Sequence, residues 1–355
     1  MPIVAHSDLP SYERLRQEGY RVLTPERANQ QDIRPLHVGL LNMMPDAALA
    51  ATERQFFRLI GSSNPISQFH IHPFTLDEIP RSDAARDHIN RYYEPLDKIK
   101  EAGLDALIIS GANVTEANLS KEIFWEPLKD VVDWAYNNVT STLCSCLASH
   151  AVFLGRYDIQ RQGLQNKIWG VFQHEVTDAS HPLVHDTNTI LDVPQSRFNE
   201  VTRSQLEQAG LHVLIESQES GVQLVVSNDG FRMVFFQGHP EYDQISLMKE
   251  YKREVGRFVS GASTSYPPFP VNYFDTYSQA LLHEFELQVR AALSDGSEMP
   301  VFPEPQLLPR LHNSWHDSGE ALVGNWIGLV YQMTNTDRQK PFMDGVDPAN
   351  PLGWL

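Results

Sequence analysis

The sequence predicts an α/β protein whose open, mostly parallel sheet carries helices on both faces. Three observations indicate this class. Short apolar segments alternate with segments whose apolar residues recur at helical spacing. One buried segment ends at Cys146 and the next residues open a helix, a strand–helix junction typical of such folds. Further on, Asn-Asp-Gly at 228–230 separates two alternating apolar runs and predicts a hairpin, so the sheet also has an antiparallel part.

The first half of the chain contains four predicted buried strands and the helices between them. The strands are expected at residues 36–43, 66–74, 104–111 and 141–146. Helices are expected at residues 52–61, with Thr52 as a plausible N-cap, at 84–102, at 125–138 and from residue 147 onward.

The second half has a different pattern. From about residue 157, shorter antiparallel pieces and loops are predicted, followed by helices at 244–259, 277–293 and 320–332. Pro-rich connectors separate these helices at 263–270 and 294–310. We therefore predict a single α/β domain over residues 1–332 with a closing C-terminal helical segment, and an irregular tail over residues 333–355.

Composition limits the function classes. The 355 residues carry a formal net charge of −17, which disfavours non-specific binding to nucleic acid. The apolar segment 36–44 is far shorter than the roughly 20 residues that span a bilayer, and no export signal is visible. The two cysteines, Cys144 and Cys146, are too close to join distant parts of a fold, which favours a reducing compartment. We expect a cytoplasmic protein without a membrane partner.

Cys146 is the first candidate for chemistry. It follows a buried strand and precedes a helix, and ligands bind at the carboxyl edge of open α/β sheets. Backbone N–H groups at a helix N-terminus lower the pKa of a thiol and can hold an oxyanion. The alternative is that Cys146, like Cys144 inside the strand, is a small buried hydrophobe.

The second candidate is the segment GHPEYD at 238–243, which follows the apolar run MVFFQ. His239 could accept the proton of a thiol, and Glu241 could orient the imidazole. Alone the segment also fits a solvated histidine with a capping glutamate. Lys167, Arg197 and Arg253 could each hold a carboxylate, although each also fits an ordinary solvated surface position.

These residues belong to a longer pattern. IRPLHVGLLNMMP at 33–45, the SGA at 110–112, VTSTLCSC at 139–146, GHPEYD, and a late SW…GNWIGLVYQ stretch occur in order. From its N-terminus to about Gln332 the chain resembles the bacterial homoserine O-acyltransferases of methionine biosynthesis, of the homoserine O-succinyltransferase type. The resemblance implies a flavodoxin-like, class I glutamine-amidotransferase-like fold, and a homodimer.

The resemblance also implies roles for individual residues. Cys146 matches the nucleophile that takes an acyl group from acyl-CoA, His239 the general base and Glu241 the carboxylate that orients it. Lys167, Ser196 and Arg253 match positions that bind the amino-acid acceptor. The expected reaction is a ping-pong acyl transfer with succinyl-CoA or acetyl-CoA as co-substrate and no bound cofactor.

Two segments depart from the family pattern. Asp46 and Ala47 stand where the family usually has lysine. Thr115 occupies the position that selects the acyl donor, where glycine goes with succinyl and glutamate with acetyl, and Asn113 replaces the usual proline. The donor stays open between succinyl and acetyl, because Thr115 has neither the open space of glycine nor the charge of glutamate. The acceptor stays open between homoserine and serine, since one methylene in a pocket is worth only about 1–3 kcal/mol.

Other functions have less support in the sequence. A glutamine amidotransferase would share the fold and triad, but such enzymes usually flank the cysteine with glycine, whereas Cys144 and Ala148 stand here. A non-catalytic binding module would explain the missing lysine. No metal site is predicted, because neither the pair His70 and His72 nor the pair His181 and His185 has a third ligand at the usual sequence spacing.

Overall fold

The computed structural model describes residues 3–63 and 66–354. The strands found there are β1 Ile3–Val4, β2 Val22–Leu23, β3 Leu36–Leu41, β4 Phe69–Phe74, β5 Ala106–Ile109, β6 Ser141–Ser145, β7 Gln162–Val176, β8 Ile190–Glu200, β9 His212–Ser217, β10 Gly221–Val226 and β11 Met233–Phe236. The helices are α1 Pro10–Gln17, α2 Pro25–Ala28, α3 Leu49–Ser62, α4 Asp83–Tyr92, α5 Leu96–Ala102, α6 Trp125–Asn138, α7 Leu147–Tyr157, α8 Arg203–Gln208, α9 Ser246–Val259, α10 Thr276–Asp295, α11 Glu304–Leu307 and α12 His316–Met333.

The described strands form one sheet in the order β2-β1-β4-β3-β5-β6-β11-β10-β9-β7-β8. The part from β2 to β11 is parallel, and β10, β9, β7 and β8 continue it with antiparallel pairings. The predicted mostly parallel α/β class is confirmed. The hairpin predicted around Asn-Asp-Gly is also confirmed, because β10 and β11 pair with Val226 opposite Val234.

Apolar side chains cover both faces of the sheet. One buried cluster contains Val38 and Leu40 from β3 together with residues of α3 and α12. A second cluster on the other face contains Leu41 and Ile109 with residues of α6 and α7. A sheet buried on both faces explains why its parallel strands read as nearly continuous apolar runs rather than as alternation.

Several element predictions are wrong in detail. The predicted helix 84–102 is two helices, α4 and α5, because Pro95 has no N–H to continue the first one. Helix α3 begins at Leu49, so Thr52 lies buried within it and is not its N-cap. Strand β7 runs over 15 residues rather than forming short pieces. No sequence signal was found for β1 or for α1, although β1 and β2 form one edge of the sheet.

The C-terminal region packs on the sheet in two places. Helices α9, α10 and α11 enclose a third apolar cluster with Trp169 and Val171 of β7. Helix α12 packs against α3, and beyond it the described chain to Trp354 is irregular but anchored, for example by Arg34 donating to the carbonyls of Thr334 and Asn335. None of the described helices combines the length and apolarity needed to cross a membrane.

Candidate active site

Cys146 sits at a strained turn between β6 and α7. Its backbone has φ 52° and ψ −110°, a conformation that L-residues rarely adopt and that costs of order 1–3 kcal/mol. Its N–H donates to the carbonyl of Phe236 at 2.7 Å, which ties the turn to the end of β11. The Cys146 side chain is half-buried, whereas Cys144 is fully buried and burial raises the pKa of its thiol. Of the two cysteines, only Cys146 is placed to react.

His239 lies beside Cys146 because β6 and β11 are neighbouring parallel strands, with Phe236 in register with Ser145. Gly238 permits this approach, since a Cβ there would lie 2.5 Å from the Gln195 side chain. The N–H of His239 then donates to the carbonyl of Pro194 at 2.9 Å. The carboxyl ends of β6 and β11 therefore present the two side chains at one edge of the sheet.

The imidazole of His239 has a partner on each side. Its Nδ1 lies 2.8 Å from Oε1 of Glu241, and both side chains are buried. Burial alone would lower the pKa of His239, but the charges of Cys146 and Glu241 and hydrogen bonds to both raise it well above its ordinary value. Since Nδ1 is engaged by Glu241, Nε2 is the nitrogen left to face Cys146. The arrangement can hold a thiolate next to an imidazolium.

Tyr242 extends this pair to a carboxylate that is only 11% exposed, that of Glu250. Its ring stacks on the imidazole of His239, with centroids 4.2 Å apart and planes 16° from parallel. Its hydroxyl donates to Oε1 of Glu250 at 2.7 Å.

Glu250 of α9 collects three donors. Besides Tyr242, Ser196 donates to its Oε2 at 2.6 Å and Lys167 at 3.2 Å. Burial would raise the pKa of Glu250, but Lys167 and the hydrogen bonds from Ser196 and Tyr242 keep it below its usual value, so the carboxylate is ionised. The structure thus brings together Lys167 and Ser196, two of the residues expected at the acceptor site. Glu250 itself was missed, because one glutamate on an amphipathic helix has no distinguishing sequence signal.

Arg253 and Thr115 lie further out. The Arg253 side chain is 63% exposed and its guanidinium pairs with Glu254 at 3.1 Å. Thr115 is exposed, and its N–H and Oγ1 donate to the two carboxylate oxygens of Glu122 at 2.7 and 3.3 Å. The loop that carries Thr115 starts close to the site, since a Cβ on Gly111 would lie 3.9 Å from Cβ of Cys146.

Besides His239, two arginines lie close enough to Cys146 for its charge to affect their pKa values. Burial lowers the pKa of both Arg161 and Arg197, and the charge of Cys146 opposes that shift in each. Arg197 is buried and donates to the carbonyl of Asn199 at 2.8 Å. Arg161 is half-buried and also feels the charge of Glu122. The sequence singled out Arg197 but not Arg161, which lies in a segment with no motif.

Asp46, where the family usually has lysine, faces another arginine. Its carboxylate lies 3.3 Å from Nη1 of Arg81 and accepts from the N–H of Ser82 at 2.8 Å. Arg81 also donates to the carbonyls of Met44 and Asn42. Asp46 is therefore part of a hydrogen-bond network that links the segment after β3 to the start of α4.

Comparison with known proteins identifies the family. The sequence model of the family described as homoserine O-succinyltransferase matches residues 2–336. A homoserine O-succinyltransferase of Allochromatium vinosum is 61% identical over 353 residues, which cover 99% of each chain. The homoserine O-succinyltransferase of Thiobacillus denitrificans is also 61% identical over 99% of each chain. A homoserine O-succinyltransferase of Cardiobacterium hominis is 47% identical, over 100% of this chain and 99% of that one.

Among solved structures, a glutamine amidotransferase of Thermotoga maritima is similar with a TM-score of 0.44 and 10% identity, covering 84% of this chain and 98% of that one. A glutamine amidotransferase of Methylobacillus flagellatus aligns with a TM-score of 0.42, covering 84% and 95%. The family resemblance stated from the sequence motifs is confirmed by the full-length matches. This chain belongs to the homoserine O-succinyltransferase family.

Proposed function

We propose that this protein transfers the succinyl group of succinyl-CoA to the side-chain hydroxyl of homoserine by a ping-pong mechanism through a thioester on Cys146. The observation that carries the proposal is the pair His239–Glu241, 2.8 Å apart, beside a half-buried Cys146 at a strained strand–helix turn. A thiol, a base and an orienting carboxylate are the parts that covalent acyl transfer needs. The names of the full-length relatives support the donor and acceptor.

In the first half-reaction, His239 takes the proton of Cys146, and Sγ attacks the thioester carbonyl of the donor. The raised pKa of His239 favours this protonated state. The N–H of Cys146 is already bonded to Phe236, so the developing oxyanion must use other donors. The N–H groups of Leu147 and Ala148, in the first turn of α7, have no intrahelical acceptor and suit this role, whereas the N–H of Ser149 donates to the carbonyl of Cys146. The bond from carbon to the CoA sulfur then breaks, and that sulfur takes the proton from His239.

In the second half-reaction, the hydroxyl of the acceptor gives its proton to His239 and its oxygen attacks the acylated Cys146. The carbon–Sγ bond breaks, an ester forms, and the thiolate regains its imidazolium partner. Glu241 keeps the Nδ1 proton in place and stabilises the charged ring during both steps.

The acceptor is assigned to the side of His239 where Lys167, Ser196 and Arg253 lie. Lys167 has its ammonium 4.1 Å from the centre of the Trp169 ring and 3.2 Å from Glu250, so its position is well defined. Arg253 is on the same helix as Glu250, at the exposed rim, and is free to swing toward an α-carboxylate by giving up a surface ion pair worth little. Glu250 acts here as a positioning residue for Lys167 and Ser196.

Selection of the donor is assigned to Thr115 in the loop after β5 and to Arg161, which directly precedes β7. A succinyl group differs from acetyl by a terminal carboxylate, which needs a cation. We assign this role to Arg161, which is half-buried and whose pKa is affected by the charges of Glu122 and Cys146. Thr115 donates a hydrogen bond to Glu122, whose charge also acts on Arg161, and Thr115 itself carries no negative charge.

The test is intact-protein mass spectrometry after mixing with succinyl-CoA or acetyl-CoA, followed by homoserine or serine. One succinyl adduct that homoserine discharges is expected. Cys144→Ala should retain the adduct and Cys146→Ala should lose it. An acetyl adduct or discharge by serine would replace the named substrates while keeping the mechanism. Release of ammonia from glutamine would favour an amidotransferase, and a folded protein that takes no adduct would favour a binding module.

We further propose that the protein acts in the cytoplasm as a homodimer. The free thiols of Cys144 and Cys146 support a reducing compartment, and the family resemblance supports the dimer. Light scattering at working concentration tests the dimer: a mass of a single 40.3 kDa chain would overturn it.

A further inference from the structure

Four histidines form a stacked cluster away from the candidate active site. His37 is in β3, His70 and His72 are in β4, and His6 follows β1. Strand register places His37 beside His70, and the ring centroids of neighbouring members lie 4.9–5.2 Å apart. The cluster lies at the β1–β4–β3 edge of the sheet, whereas Cys146 follows the carboxyl end of β6.

A glutamate completes one side of this cluster. Glu94, which follows α4, has its Oε1 2.5 Å from Nδ1 of His72 and 3.9 Å from Nε2 of His6. On the opposite side of the His72 ring from Glu94, Nε2 lies 2.9 Å from Nδ1 of His37. The side chains of histidine, cysteine, aspartate and glutamate can each offer a ligand atom to a metal ion. Among the residues that the structure describes, His6, His72 and Glu94 are the one group of three such side chains whose ligand atoms all lie within 4.8 Å of one another.

A tautomer of His6 with the proton on Nδ1 suits metal binding. Its Nδ1 lies 3.2 Å from the carbonyl of Val4, which can only accept a hydrogen bond, and 3.4 Å from the hydroxyl of Tyr12. With the proton on Nδ1, Nε2 presents a lone pair toward the carboxylate of Glu94, 3.9 Å away, and a cation between these two atoms would be attracted by both.

The chemistry of the three side chains also suits a metal ion. Two imidazoles and a carboxylate form a donor set typical of zinc and similar ions. His6, His72 and Glu94 are each partly exposed, so an ion could reach them from solvent.

We propose that His6, His72 and Glu94 form a binding site for a divalent transition-metal ion of the zinc type. At zinc–ligand distances of about 2.0–2.2 Å, ligand atoms of a tetrahedral site lie roughly 3.3 Å apart, so small side-chain shifts close the geometry. Three protein ligands leave a fourth position for water or an added ligand. His37 would then accept from Nε2–H of His72 and hold that ring in place.

A bound ion would join parts of the chain that are otherwise linked weakly. Strand β1 is only two residues long and pairs with β4 through Ile3 and Phe69. His6, just beyond β1, would be tied through the metal to His72 in β4 and to Glu94 beyond α4. Metal binding to the native state alone should therefore raise the apparent stability of the protein.

The test uses untagged, chelator-treated full-length protein titrated with Zn²⁺ in competition with a chromophoric chelator. One tightly bound equivalent is expected, with a rise in melting temperature. His6→Ala and Glu94→Gln should each weaken binding at least tenfold, and His37→Ala should weaken it while keeping the stoichiometry. His185→Ala is the control, because His185 is an exposed histidine next to Asp186 outside the cluster and should bind as wild type.

A second control separates this site from the candidate active site, which also contains a thiol, an imidazole and a carboxylate. Cys146→Ala should keep the zinc equivalent. Loss of that equivalent in Cys146→Ala, equal affinity in wild type and Glu94→Gln, or no binding by wild type would each overturn the proposal. Circular dichroism of the zinc-free variants checks that each is folded.

Discussion

The ring of Tyr242 lies nearly parallel on the imidazole of His239, with 4.2 Å between their centroids. Because the hydroxyl of Tyr242 is bonded to Glu250, this stack connects the proposed general base to the carboxylate that holds Lys167 and Ser196. One continuous chain of contacts therefore joins the two halves of the proposed site.

Replacing Glu250 with Gln should weaken acceptor binding more than chemistry. Lys167 would lose its ion pair, and the hydroxyls of Ser196 and Tyr242 would lose a charged acceptor. We expect the KM for homoserine to rise about tenfold or more, corresponding to about 1.4 kcal/mol, while the KM for the acyl donor changes little. Glu304→Gln, which removes an ion pair from Lys252 on the same helix, is the control. A larger change in the donor KM would contradict the positioning role.

Replacing Cys146 with Gly should stabilise the protein relative to Cys146→Ala. Both changes remove the thiol, but only glycine adopts φ 52° without steric cost. The relieved strain exceeds the extra entropy of glycine in the unfolded chain, so a difference of about 1 kcal/mol is expected in urea denaturation. Equal or greater stability of the alanine variant would show that the turn is not strained.

Replacing Glu241 with Gln should reduce stability in a pH-dependent manner. Although burial opposes it, the charge of Glu241 helps raise the pKa of His239 above its value in the unfolded chain. A raised pKa stabilises the fold fully below the unfolded value of about 6.5 and less as pH rises through the folded pKa. The deficit of Glu241→Gln should therefore be largest near pH 5 and shrink toward alkaline pH. A deficit that grows with pH, measured by urea denaturation, would contradict this.

Replacing Thr115 with Glu should impair use of succinyl-CoA selectively. The new carboxylate would lie near Glu122 and repel the terminal carboxylate of the succinyl group. We expect kcat/KM for succinyl-CoA to fall tenfold or more, with a smaller change for acetyl-CoA. Thr115→Gln has nearly the same shape without the charge and should keep most of the activity. Equal losses in both variants would mean that size rather than charge is sensed at this position.

Local pattern was enough to predict much of this protein. Apolar runs identified β3, β5 and β6, and helix α6 was predicted with its exact bounds at Trp125–Asn138. The strand–helix junction at Cys146 and the position of His239 after β11 were also readable, because each depends on a few consecutive residues. The division into a domain over residues 1–332 and a tail stays a prediction.

Proximity between distant segments could not be read in the same way. From residue type, Lys167 was one of three cations that could hold a carboxylate, whereas Ser196 was identified only through family resemblance. Nothing in the sequence placed Glu250 between them. Arg253 was expected at the acceptor site, yet its side chain points to an exposed rim and pairs with Glu254. The histidines were judged by sequence spacing, so His6 and Glu94 were not considered as companions of His72.

By itself the sequence indicated most of the central strands and helices and the residues at the ends of β6 and β11, since periodicity and turn chemistry act over a few neighbouring residues. Only the tertiary structure decided which ends meet. The order β6-β11 sets Cys146 beside His239, and the order β1-β4-β3 assembles His6, His37, His70 and His72. Strand order depends on how much apolar surface the complete sheet buries. That amount cannot be inferred from the sequence of any single segment.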